Sequence, residues 1–132
     1  MPPYFIRLKI NESFDTIYNL LKEKFGNVYY NILNESSKRV GIIIGTKWFM
    51  KSNSEAAINI FIHETNDQTI LDLVAYGGRE GVFGFSLGVH EDFARQVMRF
   101  VKKKDIRYKR ILEIKSFSPD KLKKIIENTE TS

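Results

Sequence analysis

Two histidines, His63 and His90, are the side chains whose ordinary pKa suits proton transfer near neutral pH. Each is followed directly by a carboxylate, Glu64 or Glu91, so that either pair could supply a general base or two metal ligands. Neither histidine has a catalytic partner nearby in the sequence, and a strand end and a helix start are ordinary structural places for this residue. We therefore predict no catalytic residue, no metal site and no enzyme.

A glycine-rich segment, residues 77–88, is the second candidate for chemistry, with five glycines in twelve residues leading into a helix. Such a loop can bind phosphate at the helix N-terminus, and Arg79 could add a guanidinium to an anion site. Its spacing matches neither the P-loop nor the dinucleotide-binding fingerprint. The favoured interpretation is a long crossover from a strand to a packed helix, with Arg79 kept as the candidate anion residue.

Positive charge is concentrated at the C-terminal end. Residues 1–101 hold 11 basic and 11 acidic residues, whereas residues 102–132 hold 10 basic and 5 acidic, which gives the net charge of +5. Helix ends and a solvent-facing helix side account for about half of these basic residues. The others predict nucleic-acid binding as the alternative function: Arg107, Lys109, Arg110 and Lys115. Arg107 and Lys109 alternate with Tyr108, which suits a strand that lays basic side chains along phosphates.

The elements that must position these groups begin with an alternating strand, Tyr4–Ile10, and a helix whose apolar residues from Phe14 to Phe25 recur at helical spacing. Ser13 precedes this helix as an N-cap, and Gly26 follows it where a left-handed C-cap is expected. Four strand-like segments separated by short polar turns come next, which predicts an antiparallel meander: Val28–Asn34, Arg39–Lys51, Ala56–Glu64 and Thr69–Tyr76.

The C-terminal part is predicted to contain two helices. The first runs from about His90 to Lys104, with acidic residues in its first turn and lysines in its last. Residues 107–115 could form a strand or an extended arm, which would dock on its own sheet or on a second chain. A short helix begins after Ser118, with Pro119 in its first turn.

Alternation assigns the residues of the sheet to two faces. The face that must cover the helices contains Tyr4, Ile6, Leu8, Ile10, Ile58, Ile60, Ile62, Leu71, Leu73 and Ala75. The third strand is apolar on both sides. On one side Gly41 and Gly45 flank Ile43, which predicts that a helix or another backbone comes close there.

The opposite face mixes aromatic and hydrogen-bonding side chains, and Phe5, Arg7, Lys9 and Asp72 can also point to it. This combination suits a small-molecule groove, a protein interface or a nucleic-acid platform. The alternative is a solvated face covered in part by the C-terminal arm or by a second subunit. The ligand or interface residues that we predict are Tyr29, Asn31, Trp48, Asn59, Phe61, His63 and Tyr76.

The order strand, helix, four strands, helix resembles the topology of the TBP-like and helix-grip α+β families over Tyr4–Lys104. The sequence from Ala75 to Phe93 is similar to a small uncharacterised prokaryotic family of this size. The resemblance implies a curved antiparallel sheet that wraps a C-terminal helix. It transfers no functional residue, because a fold does not determine a function.

Composition limits the remaining possibilities. The chain has no cysteine, which excludes disulfides and thiolate chemistry, and it shows neither a signal-peptide pattern nor an apolar run of membrane-spanning length. We predict a cytoplasmic α+β protein with a single domain, 1–104, and a basic C-terminal arm with a short helix, 105–132. Its expected function is non-enzymatic binding or homo-oligomeric assembly without a cofactor. The expected partner is a second copy in a homodimer or higher oligomer, with a small apolar ligand or nucleic acid as alternatives and no membrane.

Overall fold

The computed structural model of the chain describes residues 3–35, 38–50, 53–77, 89–115 and 117–131. Within these ranges the chain forms an α+β fold with six strands and three helices. In chain order they are β1 (Tyr4–Ile10), α1 (Phe14–Phe25), β2 (Tyr29–Glu35), β3 (Lys38–Phe49), β4 (Ser54–Glu64), β5 (Thr69–Gly77), α2 (Val89–Lys103), β6 (Tyr108–Lys115) and α3 (Pro119–Thr131).

The strands form one antiparallel sheet in the order β2-β3-β4-β5-β1-β6. The predicted meander from β2 to β5 is confirmed, and each of its connections joins two neighbouring strands. β1 lies between β5 and β6 and pairs with both. Residues 107–115 are therefore mostly strand, and β6 docks on β1 of its own chain as one edge of the sheet.

The helices α1 and α2 pack on the same face of the sheet. α1 lies on β3 and β4, while α2 lies on β4, β5 and β1. The ring of Phe25 joins the two helices, since its centroid lies 5.6 Å from that of Phe100 and 6.3 Å from that of Phe93. All ten residues predicted for this face are buried. Each large aliphatic side chain among them contributes roughly 1.5–3 kcal/mol relative to exposure.

Gly41 and Gly45 on β3 allow α1 to approach the sheet closely. A Cβ atom built on Gly41 would lie 2.7 Å from Cδ1 of Tyr18, and one built on Gly45 would overlap the carbonyl oxygen of Phe25. The close approach predicted from these two glycines is confirmed. The ring of Tyr18 and the backbone at the C-terminal end of α1 therefore lie directly on β3.

The N-cap of α1 is formed as the sequence predicts, but the left-handed conformation predicted for Gly26 is wrong, because its φ is -84°. The Thr16 N–H donates to the Ser13 hydroxyl at 3.3 Å, and the Gly26 N–H donates to the Lys22 carbonyl at 3.0 Å. Residues 78–88 lie outside the described residues, as does the side chain of His90. The predictions for Arg79 and for the His90 imidazole therefore fall outside the part of the chain that the structure describes.

Candidate functional site

The face of the sheet that points away from α1 and α2, here called the open face, collects the predicted binding residues. Ile43 is buried under the helices, so its neighbours Ile42 and Ile44 point to the open face. The register of β2 to β5 carries this alternation across the sheet. It places all seven predicted residues on the open face: Tyr29, Asn31, Trp48, Asn59, Phe61, His63 and Tyr76.

The part of the open face nearest β2 is strongly apolar. Val40, Ile42 and Ile44 are only half-buried there, and they lie beside large side chains that are exposed. Leu33 lies opposite Val40 and is 49% exposed, and Tyr29 lies opposite Ile44 and is 46% exposed. Trp48 and Tyr76 are also exposed, but they lie away from β2, at the far end of β3 and on β5. Contiguous exposed apolar surface of this kind marks an interaction site in many proteins.

β2 is an edge strand, because it pairs only with β3 among the described residues. The Ile32 N–H donates to the Asn31 side-chain oxygen at 2.9 Å, so this backbone group is not used in the pairing with β3. The Asn31 side-chain amide in turn donates to the Tyr29 hydroxyl at 3.1 Å. The outward backbone groups of β2 are therefore accessible at the edge, with only a local side chain bonded to one of them.

A polar cluster on the open face joins β1, β4 and β5. Arg7 binds Asp72 through two hydrogen bonds, of 2.6 Å from Nε and 2.8 Å from Nη2. His63 Nε2 lies 3.1 Å from the second carboxylate oxygen of Asp72. Burial alone would raise the pKa of Asp72, but the hydrogen bonds from Arg7 and His63 outweigh it and hold this pKa below its usual value.

The contacts of Arg7, His63 and Asp72 fit a structural role better than a catalytic one. Asp72 could fix the tautomer of His63 and leave Nδ1 as a base, but the bidentate Arg7 already neutralises the carboxylate. No hydroxyl nucleophile is hydrogen-bonded to His63 among the described residues. The sequence placed Arg7 and Asp72 on this face but missed their contact. The signal that reveals it is the register, which sets Arg7 directly opposite Asp72.

The four basic residues predicted to bind nucleic acid are divided by the structure. Arg110 pairs with Glu113 at 3.3 Å, and Lys115 lies 3.6 Å from Glu91 of α2. Arg107 and Lys109 make no ion pair with any described residue and lie at the opposite end of β6. The structure therefore brings together only half of the predicted set, and it adds Lys9, which lies directly opposite Lys109 on β1.

Two depressions in the described surface lie away from the predicted ligand residues. One occurs where β1 ends and β6 begins, and an apolar one lies beside Phe117 and α3. Neither is lined by any of the seven predicted ligand residues. Exposed side chains such as those of Tyr29 and Trp48 suit contact with a protein surface, whereas a small apolar molecule binds in an enclosed pocket.

No protein-family model matches the chain, and no curated protein matches it in sequence. None of the helices in the described ranges is long and apolar enough to cross a membrane. The part of the chain that the structure describes also contains no group of three histidine or acidic side chains arranged to hold a metal ion.

Proposed function

We propose that this protein is a non-enzymatic assembly domain that binds a second copy of itself through β2. The observation that supports this proposal is the character of the β2 edge. Its seven residues, Tyr29–Glu35, contain no lysine, arginine or proline, and they expose tyrosine and leucine side chains. Natural proteins usually protect a free edge with charges, proline or a bulge, because an unprotected edge adds further strands.

Pairing of β2 with β2 of a second copy is self-complementary. Two antiparallel copies related by a twofold axis present the same groups to each other, and the even-numbered residues supply the outward backbone groups. With Asn31 on the axis, Tyr29 lies opposite Leu33 of the second copy and Tyr30 lies opposite its Ile32. Aromatic–aliphatic pairs of this kind each contribute roughly 0.2–1 kcal/mol.

The product of this pairing would be a continuous sheet of twelve strands. Both helix layers lie on one side of it and both open faces on the other, because in-plane pairing preserves the face of each residue. The apolar area around Tyr29 and Leu33 then becomes a shared surface at the centre of the dimer. Tyr29 and Asn31 would lie at this centre, whereas the five predicted residues on β3, β4 and β5 would remain on the open face for any further partner.

Sedimentation velocity tests the proposal on the wild-type chain and two matched variants. Leu33→Lys places a charge on β2, whereas Ile111→Lys makes the same change on β6, where the side chain is 38% exposed. We expect the wild type and Ile111→Lys to sediment as dimers, and Leu33→Lys to sediment as a monomer at the same concentration. A monomeric wild type, or equal loss of the dimer in both variants, would contradict the proposal.

Two finer predictions belong to the same proposal and rest on the sequence: the topological likeness to the TBP-like and helix-grip families, and the cytoplasmic location. Assembly beyond a dimer, which the sequence analysis kept as an alternative, would need a second pairing surface. Both free edges of the twelve-stranded dimer would be β6 strands, so growth into a longer assembly would require pairing through β6. The proposal therefore favours a closed dimer.

A further inference from the structure

A basic cleft lies at the end of the sheet where β1 finishes and β6 begins. Lys9, Arg107 and Lys109 line it together with Tyr108, and its volume is ≈ 350 Å³. The Asn11 N–H donates to the Arg107 carbonyl at 2.9 Å and fixes the start of β6 against the end of β1. The three cations are therefore held on an ordered backbone.

The cations of this basic cleft have no ion-pair partner in the part of the chain that the structure describes. Lys9 and Lys109 lie directly opposite each other on neighbouring strands, an arrangement of like charges that destabilises a sheet. Neither of them, nor Arg107, makes an ion pair with a described residue. Among the other described arginines, four bind carboxylates: Arg7, Arg39, Arg95 and Arg110. An anion bound in the cleft would offset the repulsion that the fold leaves in place.

The basic cleft continues into a second depression. That depression is lined by Lys102, Asp105 and Ile106, and it shares Arg107 and Tyr108 with the first. Together the two depressions carry four cations, with Asp67 and Asp105 as the carboxylates among their lining residues. Positive charge therefore follows a track from the end of β1 past Arg107 to the end of α2, instead of converging on one point.

We propose that this basic cleft binds single-stranded nucleic acid through its phosphodiester backbone. A track of exposed lysines and one arginine fits successive phosphates, whereas a site for one free phosphate would need several donors directed at a single position. Tyr108 lines both depressions, and its half-buried side chain packs against the hydrophobic core on the helix face. Because Lys9 and Lys109 lie on the open face whereas Lys102 lies at the end of α2 on the helix face, the track passes around the end of the sheet, which a flexible single strand can follow. This site is independent of the proposed β2 interface.

Fluorescence anisotropy with labelled 20-nucleotide DNA and RNA single strands tests the site on the full chain. The cleft variant is Lys9→Gln/Arg107→Gln/Lys109→Gln. The matched control, Lys121→Gln/Lys123→Gln/Lys124→Gln, removes the same charge from α3. We expect the cleft variant to bind the oligonucleotides at least tenfold more weakly than the wild type. Each phosphate contact contributes roughly 0.7 to the slope of log K against log salt concentration, so the loss of three contacts should make that slope shallower by about 2. The DNA and RNA arms show which backbone is preferred.

Each other outcome overturns the proposal. Equal loss of affinity in the α3 control would mean that net charge alone governs binding, and a wild type that fails to bind at low salt would remove the site. Heparin is the third control. If it competes with the oligonucleotides at equal charge concentration, and if its own binding is weakened equally in the cleft variant, the cleft is a general polyanion surface. Thermal melting guards against misfolding, since relief of the Lys9–Lys109 repulsion should leave the melting temperature of the cleft variant unchanged or slightly higher.

Discussion

The two edges of the sheet, β2 and β6, differ in nearly every property that governs strand addition. β6 carries Lys109, Arg110 and Lys115, and its register against β1 shifts between Arg7 and Leu8. β2 has a regular register with β3 and no basic residue. Charges and bulges prevent further pairing, so one edge is closed by its chemistry while the other is left open.

The closed edge is also supported from both faces. On the helix side, the Tyr4 hydroxyl donates to Glu113 at 2.5 Å. On the open face, the ring of Phe117 packs edge-on against Phe5 at 6.2 Å between centroids. β2 has no comparable cover on the open face among the described residues, where Tyr29 and Leu33 remain exposed. The β6 edge of the sheet is therefore stabilised by contacts on both faces, whereas the β2 edge remains available to a partner.

The largest effect is expected from Arg7→Met, on the stable side. This change removes the bidentate partner of Asp72, whose side chain is only 8% exposed, and breaking such a buried pair costs about 3–5 kcal/mol. Urea unfolding should show that loss, while the dimer dissociation constant measured under folding conditions should be unchanged. If Arg7→Met changed the dimer dissociation constant strongly and the free energy of unfolding little, Arg7 would belong to the interface and not to the stable part of the sheet.

The next largest effect tests the register proposed for β2. Asn31→Lys and Asn31→Asp each place like charges opposite one another across the twofold axis, and we expect each to weaken the dimer about 100-fold, or about 2.7 kcal/mol. Mixing the two variants should restore association, because lysine then lies opposite aspartate. Sedimentation equilibrium on the single variants and on the mixture measures this. A mixture as weak as either variant alone would exclude Asn31 from the axis.

A smaller effect is expected from Asn34→Pro, which changes the backbone of β2 without adding charge. Even-numbered residues of β2 direct their N–H groups away from β3, so proline here removes an outward donor and leaves the ladder to β3 intact. We expect about tenfold weaker dimerisation, measured by fluorescence-detected dilution. Asn34→Ala serves as the control and should dimerise as the wild type does.

The smallest expected effect is a loss of folding stability at low pH. Because the folded-state pKa of Asp72 lies below its unfolded value of about 3.9, its contribution to stability is present above that pH and is lost as the pH falls towards the folded pKa. The free energy of unfolding of the wild type should therefore decrease between pH 5 and pH 3, as measured by urea titrations at each pH. Asp72→Asn should show a smaller decrease over the same interval, and an identical one would contradict the assignment.

Alternation alone was sufficient to predict the two faces of the sheet. Runs such as Ile58, Ile60 and Ile62 have a period of two, which is a local property, so each side chain could be assigned before any pairing was known. The turns between β2 and β5 are short, and this fixed the meander in the same local way.

Contacts between strands far apart in the sequence could not be predicted in this way. β1 lies between β5 and β6, and only this placement brings Arg7 to Asp72 and Lys9 to Lys109. The same placement decides which basic residues of β6 meet carboxylates. A single sequence contains no signal for pairing over 65 residues or more, so the charges were found but their partners were not.

The close contact of α1 with β3 also determines which substitutions the chain can accept. Almost any side chain fits on the solvent side of β2, whereas even a methyl group at position 45 would collide with the backbone of Phe25. Deep mutational scanning for folded protein should therefore find only glycine accepted at position 45. Many different residues should be accepted at Asn31 or Leu33 in the monomer. The spacing Gly41-x-Ile43-x-Gly45 is thus a fingerprint by which a distant relative with the same helix packing can be recognised, even where its surface charges have diverged.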